Sequence, residues 1–212
     1  MTERRLPGIE PYALPGEADL PPSRADWTLA SERAALLVHD LQLYFLAPFA
    51  EQPLAPMLAN VAALIERARA LGIPVFYTAQ HGDQDRRDRG LQADLWGPGM
   101  KAIAAHQDIH PQVAPDASDF VLTKHRYSAF QRSNLETLMR ARGRDQLLIC
   151  GVYAHIGCMM TAAEAFQRDI EPFFAADALG DFSRAHHDAA LLQVARSCGV
   201  VASTRTHLDR LT

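Results

Sequence analysis

The stretch from 146 to 166 constrains the fold more than any other. Gln146-Leu147-Leu148-Ile149-Cys150 is an apolar run of strand length. It meets the turn Gly151-Val152-Tyr153-Ala154-His155-Ile156-Gly157, then an Ala- and Met-rich segment that reads as a helix from about 157 to 168. A strand that passes through a turn into a helix is the repeating unit of a parallel sheet. The unpaired N–H groups at the start of such a helix suit an anion.

The same unit recurs along the chain. Residues 34–40 (Ala-Ala-Leu-Leu-Val-His-Asp) are apolar up to Asp40, as a central parallel strand requires. Leu54, Met57, Leu58, Val61, Leu64, Ile65 and Ala68 then follow at helical spacing over 54–71, and Gly72 and Pro74 stop that helix. A second strand is predicted over 73–78, with Gln80 just beyond it. Residues 81–118 form a long irregular section with a charged run from Asp83 to Arg89, and such an excursion commonly carries a binding loop. The third strand is 120–123, followed at once by Lys124. Ser133-Asn134-Leu135-Glu136 has the pattern of a capping box. Further strands are predicted at 172–176 and 199–203, separated by a helix that Ser183 caps.

This alternation predicts a three-layer α/β/α domain with a six-stranded, mostly parallel sheet, since right-handed crossovers place helices on both faces. A chain of 212 residues can bury one such core, and we read 1–212 as a single domain. Pro7, Pro11, Pro15, Pro21 and Pro22 make 1–28 an extended arm, with Tyr12, Leu14, Leu20 and Trp27 able to pack on the body. In a parallel sheet ligands bind beyond the carboxyl ends of the strands. Asp40, Gln80, Lys124 and the 151–157 turn all fall at such ends, on four different strands.

Composition narrows the rest. A net charge of −4 gives no footprint for nucleic acid. No apolar run is long enough for a membrane span, and the N-terminus has no apolar signal core, so a cytoplasmic protein is expected. The three cysteines, Cys150, Cys158 and Cys198, fit a reducing compartment, with Cys150 and Cys198 as small core residues. His186 and His187 are adjacent on a helix and so diverge, which makes them surface residues and not metal ligands.

Several longer motifs carry a resemblance. Val38-His39-Asp40, Tyr77-Thr78-Ala79-Gln80, Trp96-Gly97-Pro98-Gly99, Lys124 with Arg126-Tyr127-Ser128-Ala129-Phe130, Gly151 to Cys158, Ala176-Asp177-Ala178 and Asp181-Phe182-Ser183 resemble the isochorismatases over nearly the whole chain. Most other branches of that superfamily, such as the nicotinamidases, hydrolyse amides with an Asp, a Lys and a nucleophilic Cys. Aligned from Gly151, the nucleophile position falls on Gly157, and Cys158 is rotated about 100° away on a helix. The resemblance therefore implies hydrolysis of isochorismate without a covalent intermediate, without a metal and without a cofactor. It also implies a non-proline cis peptide between Val152 and Tyr153.

On this reading Asp40 is the general acid and Lys124 orients it and holds a substrate oxygen. Gln80 and Arg89 contact the substrate, Arg89 by a two-pronged grip on a carboxylate, while Arg86 and Arg87 beside it are solvated by default. Tyr153 and the Gly157 N–H bind the pyruvyl end, and glycine at 157 leaves room for substrate. Trp96, Tyr127, Tyr44 and Phe45 form an apolar wall. His81 and His125 depart from the usual Pro and Trp and could reshape that wall. The resemblance further implies a homodimer. No aryl carrier segment is seen in the sequence, so any carrier is expected to be a separate protein. That favours 2-amino-2-deoxyisochorismate of phenazine pathways as substrate, whereas the 153–159 turn and Asp181-Phe182-Ser183-Arg184 favour isochorismate of siderophore pathways. A Cys158-dependent amidohydrolase and a non-catalytic scaffold are the readings from other classes.

Overall fold

The computed structural model describes residues 6–212, so the first five residues of the predicted arm lie outside it. Its frame is a six-stranded sheet in the order β3-β2-β1-β4-β5-β6, with every neighbouring pair parallel. The strands are β1 (Ala34–His39), β2 (Val75–Ala79), β3 (Phe120–Thr123), β4 (Gln146–Val152), β5 (Glu171–Gly180) and β6 (Val200–Ala202). Helices α1 (Leu43–Leu46) and α2 (Glu51–Ala70) follow β1. Three short helices, α3 (Arg86–Arg89), α4 (Gln92–Trp96) and α5 (Ala104–Gln107), fill the section after β2. Then come α6 (Leu135–Arg140), a π-helical turn at Ala154–Cys158, α7 (Met159–Phe166), α8 (Arg184–Ser197) and α9 (Thr204–Arg210).

Both faces of the sheet are covered, which explains why β1 and β4 are apolar and buried throughout. Leu36 and Val38 pack with Met57, Val61, Leu64 and Ile65 of α2 on one face. Ala35 and Leu37 pack with Leu135 and Met139 of α6, Ala162 of α7 and Leu191 and Val194 of α8 on the other. The arm crosses this body. Ile9 is buried and its N–H donates to Pro48 O at 3.0 Å, while the Tyr12 hydroxyl accepts the Asp181 N–H at 2.9 Å.

Some elements depart from the sequence reading. β5 runs to Gly180 because it goes on pairing with β4 past an irregularity, Gly151 with Leu179 and Val152 with Gly180; within it, the Asp177 carboxylate accepts the Thr204 N–H at the start of α9 at 2.6 Å. The supposed capping box at 133–136 is not one. Asn134 precedes α6 without a side-chain cap, Ser133 Oγ donates to Ala129 O at 2.5 Å, and Glu136 pairs with Arg168 at 2.5 Å. The section 81–118 is locally helical. His187 is also not a surface residue. It is fully buried, with Nε2 at 2.9 Å from Ala176 O and Nδ1 at 3.3 Å from the Tyr12 hydroxyl, because α8 turns that side toward the sheet. No helix of the described residues is long and apolar enough to cross a membrane.

The strand order reverses direction between β1 and β4. The crevice beyond the carboxyl ends of those two strands is where a doubly wound sheet places its ligand.

Candidate active site

Asp40 is the first residue past β1, and its φ of 52° puts a non-glycine residue in the left-handed region. Thr78, at the end of β2, stabilises that conformation from both sides. Its hydroxyl accepts the Asp40 N–H at 3.0 Å and donates to Asp40 Oδ1 at 2.6 Å. Lys124 follows β3, anchored by its N–H on Ala79 O at 2.9 Å, and its ammonium donates to Asp40 Oδ2 at 2.6 Å. The side chains of this ion pair are only 3% and 7% exposed. Burial pushes the Asp40 carboxyl up, but the Lys124 ammonium and the Thr78 hydroxyl more than offset it. The group is held below the usual carboxylate range and is ionised in the free protein.

Gln80 reaches Oδ2 of Asp40 at 3.4 Å. Its main chain is fixed by buried Gln42, which accepts the Gln80 N–H at 2.7 Å and donates to Gln80 O at 2.9 Å. Of the three arginines near 86–89, only Arg89 turns inward. Its Nε donates to Gly97 O at 2.6 Å, and a β-carbon at Gly99 would lie 2.5 Å from its Nη1, so glycine there makes the guanidinium's path. Arg86 is exposed and pairs with Asp94. No carboxylate of the described residues pairs with Arg89, and burial lowers its pKa.

These groups surround one cavity, lined by Asp40, Tyr44, Phe45, Gln80, Arg89, Trp96, Lys124, Tyr127, Tyr153 and Gly157, together with Leu6, Gln92, Val152, Ile156 and Phe182. Apolar and aromatic walls around a few converging polar groups are the usual make-up of a small-molecule site. Trp96 Nε1 donates to the Tyr127 hydroxyl at 2.7 Å, and the Tyr153 hydroxyl donates to Phe45 O at 2.6 Å, so these polar tips are satisfied within the wall. Leu6 and Phe182 were missed as wall residues from the sequence. Phe182 sat within a recognised motif, whereas nothing marked Leu6. His81 and His125 do not line the cavity. His81 is exposed, and His125 borders a separate groove along β3.

The peptide between Val152 and Tyr153 is cis, as the resemblance implies. The rest of the turn after β4 differs from its prediction. The helix begins at Ala154 as a π turn, closed by Cys158 N–H on Tyr153 O at 3.3 Å, so Gly157 lies inside it and not at its start. The room beside Gly157 is also not free. A β-carbon there would lie 2.2 Å from Cε1 of His39, whose buried ring donates from Nδ1 to Val152 O at 2.9 Å. Cys158 is fully buried outside the cavity lining, and burial raises its thiol pKa far above normal. Among the described residues no group of three or more His, Cys, Asp or Glu is placed to hold a metal ion.

With this geometry in hand, the comparisons with known proteins agree with one another. The Isochorismatase domain family matches residues 34–206. The isochorismatase of Bacillus subtilis (strain 168) is 46% identical over 208 residues, which cover 97% of this chain and 67% of that protein. The phenazine biosynthesis protein PhzD of Pseudomonas fluorescens is 46% identical over 199 residues, covering 94% of this chain and 96% of the relative. A solved cysteine hydrolase from Pseudomonas syringae pv. phaseolicola shares the fold, with a TM-score of 0.81 at 24% identity over 90% of this chain and 96% of its own.

Proposed function

The chain belongs to the isochorismatase family of hydrolases, and from that premise we propose that it hydrolyses the vinyl ether of isochorismate to pyruvate and 2,3-dihydro-2,3-dihydroxybenzoate, with Asp40 as general acid. The observation that carries this reading is the Asp40–Lys124 pair set in an aromatic cavity beside Arg89, which has no counter-ion among the described residues. A vinyl ether is hydrolysed by protonating its terminal CH₂ carbon. The resulting oxocarbenium ion takes up water, and the hemiketal collapses with cleavage of the C–O bond. Such a site needs a proton donor at the methylene, a negative group facing the cation, and a cation for substrate carboxylate.

The resting Asp40 is ionised, so the proton arrives with the substrate. Among the described residues, Asp40, Lys124 and Arg89 are the charged side chains lining the cavity, with a net charge of +1. A dianionic substrate makes the closed site −1, and one proton on Asp40 restores neutrality. Once the proton has moved to carbon, the Asp40 carboxylate faces the oxocarbenium ion, the better complement to the transition state. Arg89 holds a carboxylate, Lys124 a substrate oxygen as Asp40 protonates, and Trp96, Tyr127, Tyr44, Phe45 and Phe182 exclude water from the ring.

The PhzD relative supports a second substrate, 2-amino-2-deoxyisochorismate. Its ammonium lowers the substrate's negative charge, so it drives less proton uptake at Asp40. A homodimer and, for later steps on the product, a separate aryl carrier protein belong to the same reading. The test is release of pyruvate from each substrate with no metal or cofactor added. Pyruvate from isochorismate supports the proposal, the ratio of kcat/KM ranks the two substrates, and pyruvate from neither overturns it.

A further inference from the structure

His39 has no part in the reaction just described, yet it is fully buried and its Nε2 has no hydrogen-bond partner among the described residues. Its ring lies under the floor of the cavity. The Nδ1–H bond to Val152 O, 2.9 Å long, ties the imidazole to the end of β4, so it has no free rotamer to swing into. Against it lies Gly157, which with Ile156 is a π-turn residue lining the cavity. A β-carbon at 157 would lie 2.2 Å from Cε1, 2.9 Å from Nε2 and 3.1 Å from Nδ1 of His39. Three ring atoms therefore stand in the place of one added carbon, and no flexible chain end is available to yield.

We propose that His39 sets the reaction class of this site: its imidazole fills the space that a side chain at 157 would need, so the cavity gains a covalent nucleophile there only when His39 is replaced as well. The neighbouring machinery already suits a thiol. Asp40 is a carboxylate able to accept its proton, and Lys124 lies beside it. What excludes acyl transfer is the volume of one imidazole. The inference rests on the Asp40–Lys124 cavity being the active site, and its test is separate from the pyruvate assay that tests that reading.

The experiment combines two arms. In the first, Gly157→Ala is made in the native background and in His39→Val, with His39→Asn as a second background should Val fail to fold. The expected result is a fall in Tm of about 5–10 °C, or failure to fold, with His39 present, and less than a third of that loss with His39 replaced. An equal loss in both backgrounds, or failure to fold in both, overturns the proposal. In the second arm Gly157→Cys is made in each background and given p-nitrophenyl acetate. The new thiol passes its proton to Asp40, sulfur bonds to the ester carbonyl carbon, the C–O bond to p-nitrophenolate breaks, and water later hydrolyses the thioester. A stoichiometric burst of p-nitrophenolate is expected only with His39 replaced, and the burst is lost when Asp40→Asn is added. A burst from Gly157→Cys with His39 intact contradicts the claim. Coupling in Tm without any burst reduces His39 to a packing residue and overturns its role in the reaction class.

Discussion

The two ends of the sheet use similar residues for opposite purposes. At the amino end, Arg33 pairs with Asp145 at 2.8 Å and Glu171 at 3.0 Å, and buried Gln146 bonds Ala30 N–H, Thr28 O and Glu171. The charges there are matched and partly wet, with Arg33 39% and Asp145 40% exposed. At the carboxyl end, the Asp40–Lys124 pair is almost dry, Arg89 has no counter-ion among the described residues, and Asp40 sits in the left-handed region. A matched, solvated network staples strands. On the proposed mechanism, a dry site with surplus positive charge favours an anion, and that anion raises the proton affinity of the carboxylate beside it.

Substitutions at the two ends break this contrast in order of size. Asp40→Asn keeps the shape and removes the donor, so kcat for pyruvate release is expected to fall by about 10³–10⁴, whereas Asp145→Asn at the opposite end leaves it within a factor of two. Lys124→Met leaves Asp40 buried and unpaired. It is expected to cost on the order of 3–5 kcal/mol in chemical denaturation, against at most about 1 kcal/mol for the exposed pair lost in Asp145→Asn. Arg89→Gln removes this cavity cation, and KM is expected to rise roughly 10–100-fold with a smaller change in kcat.

A buried histidine remote from both ends sharpens the comparison, because its shift comes from packing. Burial lowers the His207 pKa to about 4, while Nε2 donates to Phe174 O at 2.9 Å. The unfolded chain binds this proton near pH 6.5 and the folded one only near 4, so stability is full above 6.5 and falls as pH drops through that window. The loss is about 3 kcal/mol, and His207→Gln should flatten that part of the denaturation curve. Cys158→Ala is the smallest change: pyruvate release should stay within a factor of two, and a large loss would revive the Cys-dependent reading.

The frame was legible because buried parallel strands need continuous apolar runs, and residues just past such runs fall at one edge. That logic located Asp40, Gln80, Lys124 and the 151–157 turn without any knowledge of their contacts. It did not find Thr78 or Gln42, since a hydroxyl or amide that fixes another group's geometry has no pattern of its own. It misplaced His187 because adjacent helix residues diverge, and one of the two faced the core. It left the space at Gly157 empty because no spacing rule shows that a side chain from β1 reaches under a turn after β4. Leu6 escaped for the same reason: an extended arm has no periodicity to say which side chain meets the cavity.

The most direct test is the proton count on binding. A saturated lactyl ether analogue of isochorismate, which has no methylene to protonate, would be titrated calorimetrically at pH 7 in buffers of differing ionisation enthalpy. Uptake of about one proton per site, abolished in Asp40→Asn, is the expected result. A binding enthalpy independent of buffer would mean that Asp40 stays ionised beneath the substrate, and it would contradict Asp40 as the acid.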